Sequence, residues 1–81
     1  MMVVCRRQFR VRVFSPGEVD SYVDKEIEAL TDVFAVVLVL QSCGIQSAYA
    51  VSVAREGGAE RWWYGVTVVG LSLEWWGVSK L

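Results

Sequence analysis

From Val33 to Ala54 the chain runs for 22 residues without a charged side chain. A stretch of that length has two uses: it crosses a bilayer as one helix, or it fills a core from both sides of a sheet. The middle decides between them. Gln41-Ser42-Cys43-Gly44-Ile45-Gln46-Ser47 is polar and turn-forming, and a spanning helix would hold those groups in hydrocarbon. The stretch is therefore read as two buried elements joined near Gly44, with no membrane segment. Its first half, Val33 to Leu40, is apolar all round, and four of its eight residues are valine. That favours a strand over 33–41. The rival is a helix reaching Cys43, with Gly44 as a left-handed cap and Ile45 packing back.

The flanks supply the rest. Residues 3–14 alternate, with Val3, Cys5, Phe9, Val11 and Val13 on one face and Arg6, Gln8, Arg10 and Arg12 on the other, Arg7 alone breaking the period. This is the pattern of a half-buried strand. Ser15-Pro16-Gly17-Glu18 offers a capping box with proline at the first helical position. It predicts a helix of about sixteen residues, Val19, Tyr22, Val23, Ile27 and Leu30 facing inward and Glu18, Asp20, Asp24, Glu28 and Asp32 solvated. Gly57-Gly58 reads as a two-residue hairpin turn joining strands over 45–55 and from 59 onward. Pairing Glu56 with Ala59 sets Val53 opposite Trp62, Val51 opposite Tyr64 and Tyr49 opposite Val66. Residues 71–81 read as a last strand, a short helix capped by Ser72 being the alternative. With 81 residues and 9.1 kDa, there is room for one core. The expected fold is a single small α+β domain over residues 1–81, ordered β-α-β-β-β-β, with one main helix on one face of an antiparallel meander.

That architecture leaves a surface problem. In the register above one sheet face carries Val33, Val37, Tyr49, Val51, Val53, Trp62, Tyr64 and Val66, and the other carries Phe34, Val36, Leu38, Ala48, Ala50, Trp63 and Thr67. A helix about 24 Å long and 10 Å wide shields about two strands spaced 4.8 Å apart. Leaving about 500 Å² of apolar sheet in water forfeits on the order of 12 kcal/mol, as much as a small domain's whole stability. The expectation is self-association, a dimer first, or docking on another protein, through Phe34, Val36, Leu38, Ala48, Ala50 and Trp63.

Chemistry is sparse by comparison. The chain has no His and only two Cys, so the commonest general base and metal ligand are missing and two thiols do not make a tetrahedral zinc site. No catalytic set, metal site or cofactor is expected. The first fourteen residues hold four arginines where a secretory signal would be apolar, which points to an intracellular, cytoplasmic protein with Cys5 and Cys43 as buried thiols. Six Arg against two Lys, sixteen Val and no Asn suit a thermophile, in which a Cys5–Cys43 bridge would be tolerated.

Two function classes follow. The first is a non-enzymatic interaction or structural module working through its apolar sheet face. The second is a single-stranded nucleic-acid binder, in which Arg6, Arg10, Arg12 and Arg61 meet phosphates and Trp63 stacks a base. A net charge of −1 and six acids between 18 and 32 oppose the second, and no basic-glycine-aromatic string supports it.

Overall fold

The computed structural model describes residues 7–75 and 77–80, the last four as backbone alone. One helix lies against one face of an antiparallel sheet, the α+β class that the sequence implies. The strands are β1 (Arg7–Phe14), β2 (Val23–Ala29), β3 (Ser47–Arg55), β4 (Glu60–Val69), β5 (Ser72–Glu74) and β6 (Gly77–Lys80), and the helix α1 (Asp32–Ser42) sits between β2 and β3. In space the order is β2-β1-β3-β4-β5, with β6 also paired to β4. The chain order is thus β-β-α-β-β-β-β, and two segments exchange the roles assigned to them above.

The predicted helix over 16–31 is not formed. Ser15-Pro16-Gly17-Glu18 closes a tight turn, Glu18 N–H donating to the Ser15 carbonyl at 3.2 Å with Gly17 at φ +76°. This is the proline-then-glycine signature of a type II turn and not a capping box. Beyond it Val23, Ile27 and Ala29 alternate with Asp24, Glu26 and Glu28, and β2 pairs with β1 from Arg7 to Val13. The acidic row of β2 thereby stands on the same face as Gln8, Arg10 and Arg12, with opposite charges across the strands. Cross-strand pairing of that kind is available to a strand and not to an isolated helix. Val19, Tyr22 and Leu30, which a helix would have turned inward, are exposed.

The preferred strand over 33–41 is likewise corrected to the rival helix. Thr31 caps it, its Oγ1 accepting from Phe34 N–H at 3.1 Å. At the other end Ile45 N–H donates to the Leu40 carbonyl at 2.8 Å and Gly44 N–H to the Gln41 carbonyl at 3.1 Å. With Gly44 at φ +69° these two bonds form a complete Schellman motif, a conformation that glycine adopts without the Cβ clash. The valine run tolerates helix because tertiary burial outweighs its intrinsic preference. Ala35, Val36, Val37, Val39 and Leu40 are all buried.

The core lies between α1 and the sheet, with Phe9, Val11, Val13, Val51, Val53, Trp63 and Val66 beneath the helix. The molecule measures 47 × 28 × 20 Å, and a shortest dimension of 20 Å accommodates one helix layer and one sheet layer, with none on the far side. Strand reading was sound for β1 within 7–14, for β3 and for β4, and the final segment, read as one strand, forms two short ones, β5 and β6. Residues 3–6 lie outside the described residues.

The hairpin register differs by one residue. Gly58 N–H closes a turn onto the Arg55 carbonyl at 2.8 Å, so three residues separate Arg55 from Ala59, and Val53 stands opposite Arg61, Val51 opposite Trp63 and Ser52 opposite Trp62. A one-residue slip moves every side chain to the other face. Trp63 goes under the helix and Trp62 comes out. At Gly65, φ +60°, the inward positions of β4 change phase, from Trp63 to Val66, and on β3 from Val51 to Ala48. Glycine's freedom at positive φ permits that step within a strand.

Candidate functional site on the open sheet face

No described element covers the sheet face opposite α1. Register and packing place on it Gln8, Arg10, Arg12 and Phe14 from β1, Asp24, Glu26 and Glu28 from β2, Ala50, Ser52 and Ala54 from β3, and Glu60, Trp62 and Tyr64 from β4. Toward β4 the face is aromatic. The Phe14 and Trp62 rings are tilted with centroids 4.9 Å apart, Trp62 and Tyr64 are stacked at 6.4 Å and 16°, and Tyr49 meets Tyr64 edge-on at 6.4 Å. These spacings fall within the range in which aromatic pairs attract. The ladder rests on small residues, because Ala50, Ser52 and Ala54 leave room for rings to lie flat. Tyr49 and Tyr64 are exposed. Ser52 Oγ and Trp62 Nε1 are buried without a hydrogen-bond partner among the described residues, a desolvation cost that none of those residues offsets.

Toward β2 the same face is charged. Arg10 grips Asp24 through two bonds, Nε to Oδ1 at 2.8 Å and Nη2 to Oδ2 at 2.6 Å. That hydrogen bonding, foremost, holds the Asp24 carboxyl below its ordinary range and Arg10 above its own. Arg12 pairs with Glu60 and lies 5.5 Å over the Phe14 ring. Among the described residues four carboxylates and two engaged guanidinium groups lie on β1, β2 and β4 of this face, and Glu74 of β5 adds a fifth carboxylate at its edge, so the described part of the face is acidic.

The residues expected to form an interface do not lie together. Val36 is in the core of α1, Ala48 and Trp63 are buried between helix and sheet, and Ala50 is buried under the aromatic ladder. Phe34 and Leu38 lie on α1, Phe34 exposed and Leu38 half-buried. The expected nucleic-acid set is split too. Arg10 and Arg12 stand on the open face. Arg61 is on the helix side, 5.4 Å over the Trp63 ring and bonded to Asp32 at 2.7 Å. Trp63 is 1% exposed and offers no ring to a base, and Arg6 lies outside the described residues.

Tyr49, Trp62 and Tyr64 were expected on one face, but together with Val51 and Val53 and not as the docking surface, and Phe14 was not placed with them. Their signal was present in the alternation of β1 and β4, and a single register step concealed it. Cys43, at the end of α1, is half-buried and unbridged among the described residues, and Cys5 lies outside them, as does any bridge between the two. Among the described residues no group of three or more His, Cys, Asp or Glu is arranged to hold a metal ion, and no helix is long and apolar enough to cross a membrane. What the open face can do chemically is stack and pack.

Comparison with known proteins finds no matching family model, and neither a curated protein nor a solved structure that matches the chain.

Proposed function

We propose that this chain is a non-enzymatic interaction module that self-associates, two copies packing their open sheet faces together. The observation that carries the proposal is the continuous Phe14–Trp62–Tyr64–Tyr49 ladder on a face that no described element covers. The second copy is favoured as occupant because the face is self-complementary. A two-fold axis parallel to β3 sets β1 and β2 of one copy against β4 and β5 of the other, so that the Arg10–Arg12 half meets the aromatic half twice. Guanidinium groups paired in plane to carboxylates still present their flat sides to Trp and Tyr rings. Four strands of about 26 Å make a face of about 500 Å², and two such faces bury about 1,000 Å², the lower bound for a specific interface.

Sedimentation velocity over a dilution series tests this. The expected result is a monomer–dimer equilibrium, with Tyr64→Lys sedimenting as a folded monomer at concentrations where the parent is dimeric. A parent that remains monomeric at its highest concentration overturns the proposal. A nucleic-acid strand laid on the same rings would meet the carboxylates of this face, so oligothymidylate binding that falls steeply with salt is the competing outcome.

A further inference from the structure

On the helix side of the sheet, at the end where α1 begins, Arg7, Arg55 and Arg61 line one cleft of 370 Å³ together with Leu30, Asp32 and Gly58, among others. The register explains the convergence. Arg55 stands opposite Phe9 and Arg61 opposite Val53, while Arg7 lies two residues from Phe9 on the same face of β1. Three adjacent strands thus each send a guanidinium group to one place, against a single carboxylate, in a chain whose net charge is −1. Arg61 is engaged with Asp32. Arg7 and Arg55 make no side-chain hydrogen bond or ion pair with any other described residue. The first amides of α1 are already taken, Val33 N–H by Asp32 Oδ1 at 2.8 Å and Phe34 N–H by Thr31 Oγ1 at 3.1 Å. The arginines, and not the helix end, therefore supply the charge.

We propose that this cleft binds a phosphate monoester. Two unengaged planar forks of donors on neighbouring strands match the oxygens of a tetrahedral dianion, with Arg61 as a third charge. The volume is at the small end for ligand sites, and Leu30, half exposed at the rim, gives the organic part of the ester an apolar rest. Gly58 keeps the mouth open beside Arg55: a Cβ there would stand 3.6 Å from Arg55 Nε and 3.3 Å from the Arg55 carbonyl oxygen.

Titration of the ¹⁵N-labelled protein with inorganic phosphate, phenyl phosphate and oligothymidylate tests the site. Saturable shifts at the amides of Arg55, Gly58 and Asp32 are expected with both small anions, phenyl phosphate binding more tightly because it also covers Leu30. Arg7→Gln and Arg55→Gln, both at exposed positions, each weaken binding about tenfold, the loss expected for one charge-assisted hydrogen bond. Asp32→Asn releases Arg61 and strengthens binding. Affinity for phenyl phosphate rises as the ester ionises a second time at about pH 6, and the rise for inorganic phosphate, a weaker acid in that step, comes at higher pH; with no His in the chain, that dependence belongs to the ligand. Absence of saturable shifts, shifts that R7Q and R55Q leave unchanged, or a response to oligothymidylate alone overturns the proposal. A D32N protein that binds phosphate no better than the parent overturns the part given to Arg61.

Discussion

At the scale of single residues, the open face and the cleft differ in how arginine is used. Arg10 is fully engaged with Asp24 in solvent, both side chains being well exposed. A pair of this kind contributes little to stability, because water screens it and two long side chains lose freedom. Its effect is on ionisation. The Asp24 carboxyl titrates below its ordinary value, so the stabilisation it brings is present above the unfolded-state value of about 3.9 and is lost as pH falls through the lower folded value. Carboxyl-carbon NMR should show Asp24 titrating below its exposed neighbours, and Arg10→Gln should return it to the ordinary range with little change in melting temperature. An Asp24 that titrates alike in both proteins would disprove the link. None of this pairing was readable from the arginine run alone, since a run of alternating cations is compatible with phosphate, with solvent or with an acidic strand. Only the alternation of Asp24, Glu26 and Glu28, set against Arg12, Arg10 and Gln8, distinguishes them.

At the scale of elements, β2 and α1 each carry a pattern that fits two structures. Val23 and Ile27 lie four residues apart, which suits one face of a helix and equally one face of a strand. Val33 to Leu40 is uniformly apolar and has no period from which to choose. Its ends decided the matter: Thr31 with its bond to Phe34 N–H, and Gly44 with the paired bonds to Gln41 and Leu40. The Gly44 cap was visible in the sequence as the alternative. The Thr31 cap was missed because Ser15 with Pro16 made a stronger start signal earlier. Thr31→Ala should therefore lower stability by about 1 kcal/mol in urea unfolding while Thr31→Ser is nearly neutral. Equal loss in both variants would mean that the hydroxyl bond is not what holds the helix start. The hairpin shows how fine the margin is, since one residue added to a turn exchanged the environments of two adjacent tryptophans.

At the scale of the whole molecule, the expectation of a second face apolar throughout is corrected: that face is aromatic toward β4 and charged toward β2. One helix of 11 residues roofs one side of the sheet, and no described element covers the other. The two tryptophans separate the consequences. Trp63→Ala empties the core between helix and sheet and should cost about 3–5 kcal/mol, a large share of the 5 to about 15 kcal/mol that a domain of this kind possesses. Trp62→Ala should spare most of that and weaken association instead. Urea titration beside sedimentation resolves the pair, and similar unfolding losses in both would contradict the assignment of faces. The position of α1 in the chain has a further effect. Its buried apolar face is covered by strands on either side of it in sequence, and β3 and β4 come later. While a ribosome is still making those strands, the valine-rich segment has emerged with half its shelter unbuilt, free to stick or to extend. The newborn polypeptide is thus most vulnerable in the interval before its second hairpin arrives, and a chaperone that shields nascent greasy segments would find its target there.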